Sequence, residues 1–214
     1  MIGVGIGILA LLAVCVCVLG IAGYIYREPL MAMLGLAPSQ RVARMLPEKT
    51  QFYMSLNPNI QNVAGYQNIK KLYLDNPDVK KVLDDLDTQT KKDADVTFKN
   101  DIQPWLGAEV ALAMPDFKEA MKGGSATPAI VVAAQTTNKA ASDNFIKKWL
   151  DKAVKDDNPF KDETYQDVTL HVQKNKFNDN VTLVATFDDF VFVSSSDKLL
   201  KDMIDRSKGK NKEP

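Results

Sequence analysis

The amino-acid sequence predicts an α+β protein in which one N-terminal transmembrane helix is followed by a mainly antiparallel sheet with helices on one face. Three observations carry that expectation. Residues 1–26 contain no charged group, so all 27 Lys and Arg and all 27 Asp and Glu of the 214-residue chain come after them. From Gln51 onward the apolar residues recur either at every second position or every three to four, the periods of strands and helices. Two β-prone runs, Val181 to Phe187 and Phe190 to Ser195, are separated only by Asp188-Asp189, residues that tolerate the positive φ of a two-residue hairpin turn. The chain accordingly divides into a transmembrane helix (1–26), a juxtamembrane linker (27–50), a soluble α+β domain (51–207) and a polar tail (208–214).

The first segment would be about 39 Å long as a helix, against a hydrocarbon core of roughly 30 Å, so it can span with tilt. Tyr24 and Tyr26, followed by Arg27, stand where amphipathic and basic side chains anchor a helix at the headgroups. A cleaved signal peptide is the rival reading, but such peptides have an apolar stretch of roughly 7–15 residues behind a basic segment, and neither condition is met. Gly3, Gly7, Ala10, Ala13, Cys17 and Gly20 are spaced three or four apart and form one stripe of small residues. That stripe is either a packing face for other membrane protein subunits or the ordinary Gly and Ala content of a membrane helix. Cys15 and Cys17 are the only cysteines, and two residues apart on a helix they point about 200° away from each other, so they form no disulfide together. Orientation stays open. Basic residues after the helix would hold the domain in the cytoplasm, and a basic extension before Met1 would reverse that.

Pro29, Pro38 and Pro47 cut the linker into short pieces, which either lie at the membrane interface or pack on the domain. Gln51 to Leu56 reads as a strand ended by Asn57-Pro58, and residues 60–86 as helical with a break at Asn76-Pro77. Thr97 to Leu106 reads as a short helix closed by Gly107, and Glu109 to Met114 as a strand. After a loop over 115–127, Ala129 to Ala134 has the unbroken apolar character of a central strand. Ser142 to Val154 is an amphipathic helix. One strand over Tyr165, Val168, Leu170 and Val172 precedes the hairpin, and Asp197 to Ile204 is a last helix.

The equal numbers of acidic and basic residues give no net field for nucleic acid, and no basic cluster is interleaved with aromatics. His171 is the sole histidine and lies in a strand, so two imidazoles cannot meet within one chain. The soluble part has no thiol. The carboxylate groups at Asp84-Asp85-Leu86-Asp87, Asp93-Ala94-Asp95, Asp156-Asp157 and Asp188-Asp189 match no calcium loop and read as solvated faces and turns. Gly123-Gly124-Ser125 lacks the lysine of a phosphate loop, and Ser194-Ser195-Ser196 has no nearby base. Asn180-Val181-Thr182 fits the glycosylation pattern and reads as a strand start. No catalytic residue, cofactor or metal is expected.

The run from Leu46-Pro47-Glu48-Lys49-Thr50 through Asn57-Pro58 resembles the opening of an uncharacterised bacterial family, a domain of unknown function. Its members carry one N-terminal helix and a leucine-proline-acidic-x-threonine start. The segment Asp101-Ile102-Gln103-Pro104-Trp105-Leu106-Gly107 through Ala113, and Asp189 through Ser196, are similar to the same family in the same order. The Pro-Trp-Leu-Gly block is the most specific part. The resemblance implies a membrane-tethered, extracytoplasmic domain with no assigned activity and no catalytic residues to carry over. The expected function is a non-catalytic interaction or accessory subunit of a larger membrane complex. The alternative is a binding module that encloses an apolar ligand such as a lipid or pigment between sheet and helices. A hydrolase ranks third.

Overall fold

The computed structural model describes residues 41–58, 95–118, 128–175 and 180–210, with isolated helical positions between 77 and 91. The expected transmembrane helix, the linker up to residue 40, most of the helical stretch 60–86 and the tail from 211 lie outside the described residues. Among those that are described, no helix is long and apolar enough to cross a membrane.

Seven strands among the described residues form one sheet: β1 (Phe52–Leu56), β2 (Leu106–Met114), β3 (Val131–Thr136), β4 (Lys161–Tyr165), β5 (Val168–Lys174), β6 (Val181–Phe187) and β7 (Phe190–Ser194). Their spatial order is β1-β2-β3-β7-β6-β5-β4, and every neighbouring pair is antiparallel. Helix α1 (Lys139–Lys155) follows β3 and helix α2 (Asp197–Ser207) follows β7. A β-hairpin and then a helix thus occur twice, and β3 and β7 meet in the middle of the sheet.

The two helices cover opposite faces, which corrects the expectation of helices on one face. Successive side chains of a strand point to opposite sides. In β3, Val131 and Ala133 enter one apolar layer while Val132 and Ala134 enter the other. In β7, Phe190 and Phe192 join the first layer and Val191 and Val193 the second, and all four are buried. Strands apolar at consecutive positions leave no face for water, so each side must be roofed. Helix α2 roofs the first layer with Leu199, Leu200, Met203 and Ile204. Helix α1 roofs the second with Phe145, Ile146 and Trp149.

Burial of those side chains contributes about 1.5–3 kcal/mol each. The surface pairs Lys139–Asp143, Lys147–Asp151 and Lys152–Asp156 on α1 contribute about 0.3–0.5 kcal/mol each at best, so packing holds the helix. Both helices start on a side-chain cap: Asn138 accepts from the Ala141 N–H and Ser196 from the Leu199 N–H. Rings fill the space between the larger gaps. Phe187 and Phe192 stack at 4.1 Å in the first layer, and Trp105, Phe145, Trp149 and Phe160 form a chain of ring contacts in the second.

Two further elements differ from the sequence expectation. The single strand expected around residues 165–172 is a hairpin of β4 and β5, turned by Gln166 and Asp167 at φ 48° and 63°. Strand β4 reads Lys-Asp-Glu-Thr-Tyr and is exposed except at Tyr165, because it is the sheet edge and buries almost nothing; it therefore carries no apolar alternation. The helix expected over Thr97–Leu106 is only a wide turn of π type at Phe98–Ile102, and Leu106 already belongs to β2. The hairpin at Asp188 and Asp189 forms as expected, with φ 48° and 62°.

Asp167 holds a left-handed conformation with a fully exposed side chain, so Asp167→Gly relieves backbone strain at little loss of contact. We expect a gain of about 0.5–1 kcal/mol, read as a rise in the thermal midpoint of the chain. An unchanged or lower midpoint would show that the 3.7 Å approach of Lys208 to Asp167 matters more than the turn.

Candidate functional site

Two regions stand out from the packed sheet. The first is built on the π turn. Thr97 and Asp101 cap each other: the Asp101 carboxylate accepts from the Thr97 N–H at 2.7 Å and hydroxyl at 3.2 Å, while the Thr97 side chain accepts from the Asn100 N–H. The turn then hands the chain to Trp105, whose indole N–H donates to the Asp101 carbonyl at 2.6 Å and whose ring is buried. The Trp105 carbonyl accepts from the backbone N–H of Thr137 at 2.8 Å. At Gly107 a Cβ would lie 2.9 Å from Cγ and Oε1 of Gln135, and that same oxygen accepts from the Ala108 N–H. A larger residue at 107 would force the Gln135 side chain to move from that position. Trp105 and Gly107 of the Pro-Trp-Leu-Gly block thus each have a packing role.

Between this turn and α1 runs an open groove of about 390 Å³. Pro104, Ala141 and Phe145 line its apolar part, Asn100 and Asn144 add amides, and Lys148–Asp101 and Lys147–Asp151 add ion pairs, both at 2.6 Å. Asp101 is the better sheltered partner of its pair. Partial burial alone would raise its pKa, but the Lys148 ammonium and the Thr97 donors outweigh it and hold the carboxyl below its usual value.

The second region surrounds Glu109, the one charged side chain in the fully buried set among the described residues. Its carboxylate accepts from the backbone N–H of Val42 at 3.2 Å and of Arg41 at 3.3 Å, and from the Tyr53 hydroxyl at 3.4 Å. Burial, with the Glu109 charge adding to it against hydrogen bonds involving Ser55 and Ala43, pushes the Tyr53 hydroxyl above its ordinary value. Arg41 itself reaches the other way. Its guanidinium lies 5.0 Å from the centre of the Phe190 ring and donates to the Asp188 carbonyl at 2.8 Å. Val42, Met45 and Leu46 then sink into the first apolar layer. Residues 41–47 of the segment read as a linker therefore pack on the domain.

The expected packing stripe (Gly3, Gly7, Ala10, Ala13, Cys17, Gly20) and interface anchors (Tyr24, Tyr26, Arg27) lie outside the described residues, as does Gly123-Gly124-Ser125. His171 faces Asp162 across the β4–β5 ladder at 2.6 Å. Two of the three serines tie the end of β7 to the residues before β3, Ser194 donating to the Ile130 carbonyl and Ser195 to the Pro128 carbonyl, while Ser196 caps α2. Among the described residues no three His, Cys, Asp or Glu side chains come together as a metal would need. Sequence reasoning passed over Glu109 and Asp101. An acid inside the apolar run Glu-Val-Ala-Leu-Ala was a visible signal at 109, whereas the Lys148 partner of Asp101 is 47 residues away and had none.

The geometry defines a class: a three-layer domain whose antiparallel sheet is roofed by helices on both sides, with an open groove along one of them. A family model described as a protein of unknown function (DUF3352) matches residues 6–212, and the chain belongs to that family. All three segments that carried the resemblance lie within the matched residues. No curated protein and no solved structure matches the chain.

The Asp101 pair has a pH signature. Its folded pKa lies below the unfolded value of about 3.8, so folding favours the charged form; the stabilisation is complete above 3.8 and disappears as pH falls through the lower, folded value. Asp101→Asn should therefore destabilise the chain at pH 7, by about 1 kcal/mol as a charge-assisted bond is lost. The gap to the unsubstituted protein should narrow steadily below pH 4 in chemical denaturation. A gap independent of pH would assign the Asp101 effect to shape alone.

Proposed function

We propose that this chain is a membrane-anchored, non-catalytic interaction protein, an accessory subunit of a larger membrane complex, with its domain on the extracytoplasmic side. The observation that carries the reading is the groove beside α1. It is open rather than enclosed, mixes an apolar floor with amides and paired charges, and is bounded by Pro104 of the Pro-Trp-Leu-Gly block. A polar-rimmed, half-open surface of that kind suits a protein partner better than a small apolar molecule, which needs enclosure. The stripe Gly3, Gly7, Ala10, Ala13, Cys17 and Gly20 supports a second contact, with other subunits within the bilayer.

The alternative, a module enclosing a lipid or pigment, would use strands 109–134 and 181–195 as its wall. Those strands spend their apolar side chains on α1, α2 and one another, with Leu112, Leu183, Phe190 and Phe192 fully buried. That favours the accessory reading.

The test is purification of the full-length chain from its native membrane in mild detergent, with native mass measurement and crosslinking from positions 3, 7 and 10. Co-purification of another membrane polypeptide in fixed stoichiometry is the expected result, and a bare monomer with no crosslink would refute the reading. Recovery with a retained lipid or pigment would establish the alternative instead. Asn144 is exposed on α1 and lines the groove, so Asn144→Trp fills it while changing stability by less than about 0.5 kcal/mol. We expect that substitution to cut recovery of the partner at least tenfold, and undiminished recovery would remove the groove from the interface.

A further inference from the structure

Residues 41–47 differ from everything else that roofs the sheet. Among the described residues they join no strand ladder. Their backbone bonds are local, Met45 N–H to the Val42 carbonyl and Leu46 N–H to the Ala43 carbonyl, or end on the side chains of Glu109 and, from Ala43, Tyr53. Three apolar side chains, Val42, Met45 and Leu46, hold the segment against the sheet and α2. Arg41 pins its start to the β6–β7 turn through the Asp188 carbonyl and the Phe190 ring. A central strand, by contrast, is hydrogen-bonded along both of its edges and buried on both faces.

Free energies of local opening follow the contacts that break, so an element fastened by side chains alone opens without the ladder behind it. We propose that residues 41–47 are a strap that unfastens as its own unit, with Glu109 and Arg41 as its two clasps. Closed, the strap fixes where the chain arriving from the N-terminal side meets the sheet, because two successive backbone N–H groups converge on one buried carboxylate. A one-residue slip would break both bonds and leave that charge buried without them. Open, it uncovers part of the first apolar layer, the Phe190 ring beneath Arg41 included, and frees the domain from that fixed entry point. The proposal extends the anchored reading to the coupling between anchor and domain. Its test involves no partner, so either can fail without the other.

The experiment is native-state hydrogen exchange on the full chain in detergent, comparing the Val42, Met45 and Leu46 amides with Val132 and Val193 in the central strands. The strap amides should exchange at least tenfold faster, and trypsin should cut after the exposed Arg44 without global unfolding. Glu109→Gln and, separately, Arg41→Ala should each speed strap exchange and Arg44 cleavage by a further tenfold or so while leaving Val132 and Val193 unchanged. Arg41→Ala decides the matter should Glu109→Gln fail to fold, since Arg41 lies at the surface. Equal exchange of the two sets in the unsubstituted protein would overturn the proposal. So would Arg41→Ala that left strap exchange unaltered or accelerated both sets alike.

Discussion

Consecutive burial in β3 and β7 is the constraint from which the rest of this architecture follows. Neither strand has a polar face, and the pair lies at the centre of the sheet, so water must be excluded from both sides at once. One helix cannot do that. Each central strand therefore leads directly into its own helix, and the two helices take opposite faces because their apolar stripes meet strand positions of opposite parity. Small residues on the first face, Ala111, Ala113, Ala133 and Ala185, admit the large rings of Phe187, Phe190 and Phe192 between sheet and helix. The second face has the converse arrangement, with Val and Leu on the strands and two tryptophans above them.

Several polar groups at the margins of this apolar core recruit specific partners. Ser194 and Ser195 at the end of β7 fasten the residues leading into β3, so the end of one central strand is tied to the beginning of the other. Asp101 settles the open backbone of the π turn, and Gln135 settles the Ala108 N–H where β2 is irregular. Glu109 does the same for a segment with no ladder. Burying a carboxylate is costly unless donors converge on it, and that requirement selects one position for residues 41 and 42 out of many. The two candidate regions share this logic, but one faces outward beside α1 and the other fixes the chain's entry to the sheet.

The sequence was legible where local chemistry and burial agreed. The run Ala-Ile-Val-Val-Ala-Ala identified a central strand, the Asp-Asp pair identified the β6–β7 hairpin, and α1 and α2 followed from their apolar spacing. Their distribution over two faces was also latent in that unbroken run, since a strand with no polar side needs two roofs. The β4–β5 hairpin was hidden for a physical reason: an edge strand buries little, so nothing forces its side chains to alternate. The groove was illegible because it arises from Asn100 to Pro104 meeting Ala141 to Asp151, contacts that no local pattern encodes. The family match places the chain among proteins of unknown function and adds no residue role, so the functional argument rests on geometry.

Strand β4 closes one side of the sheet with Lys161, Asp162 and Glu163 turned to solvent. Copies of such a domain kept close together would meet edge to edge, and an open row of backbone donors and acceptors invites them to merge into a continuous sheet. An antiparallel encounter centred on Asp162, on Glu163 or between the two sets one carboxylate opposite another. The outer strand that contributes least to the core thereby opposes edge-to-edge merging through like charge, with the same residues that gave no strand signal.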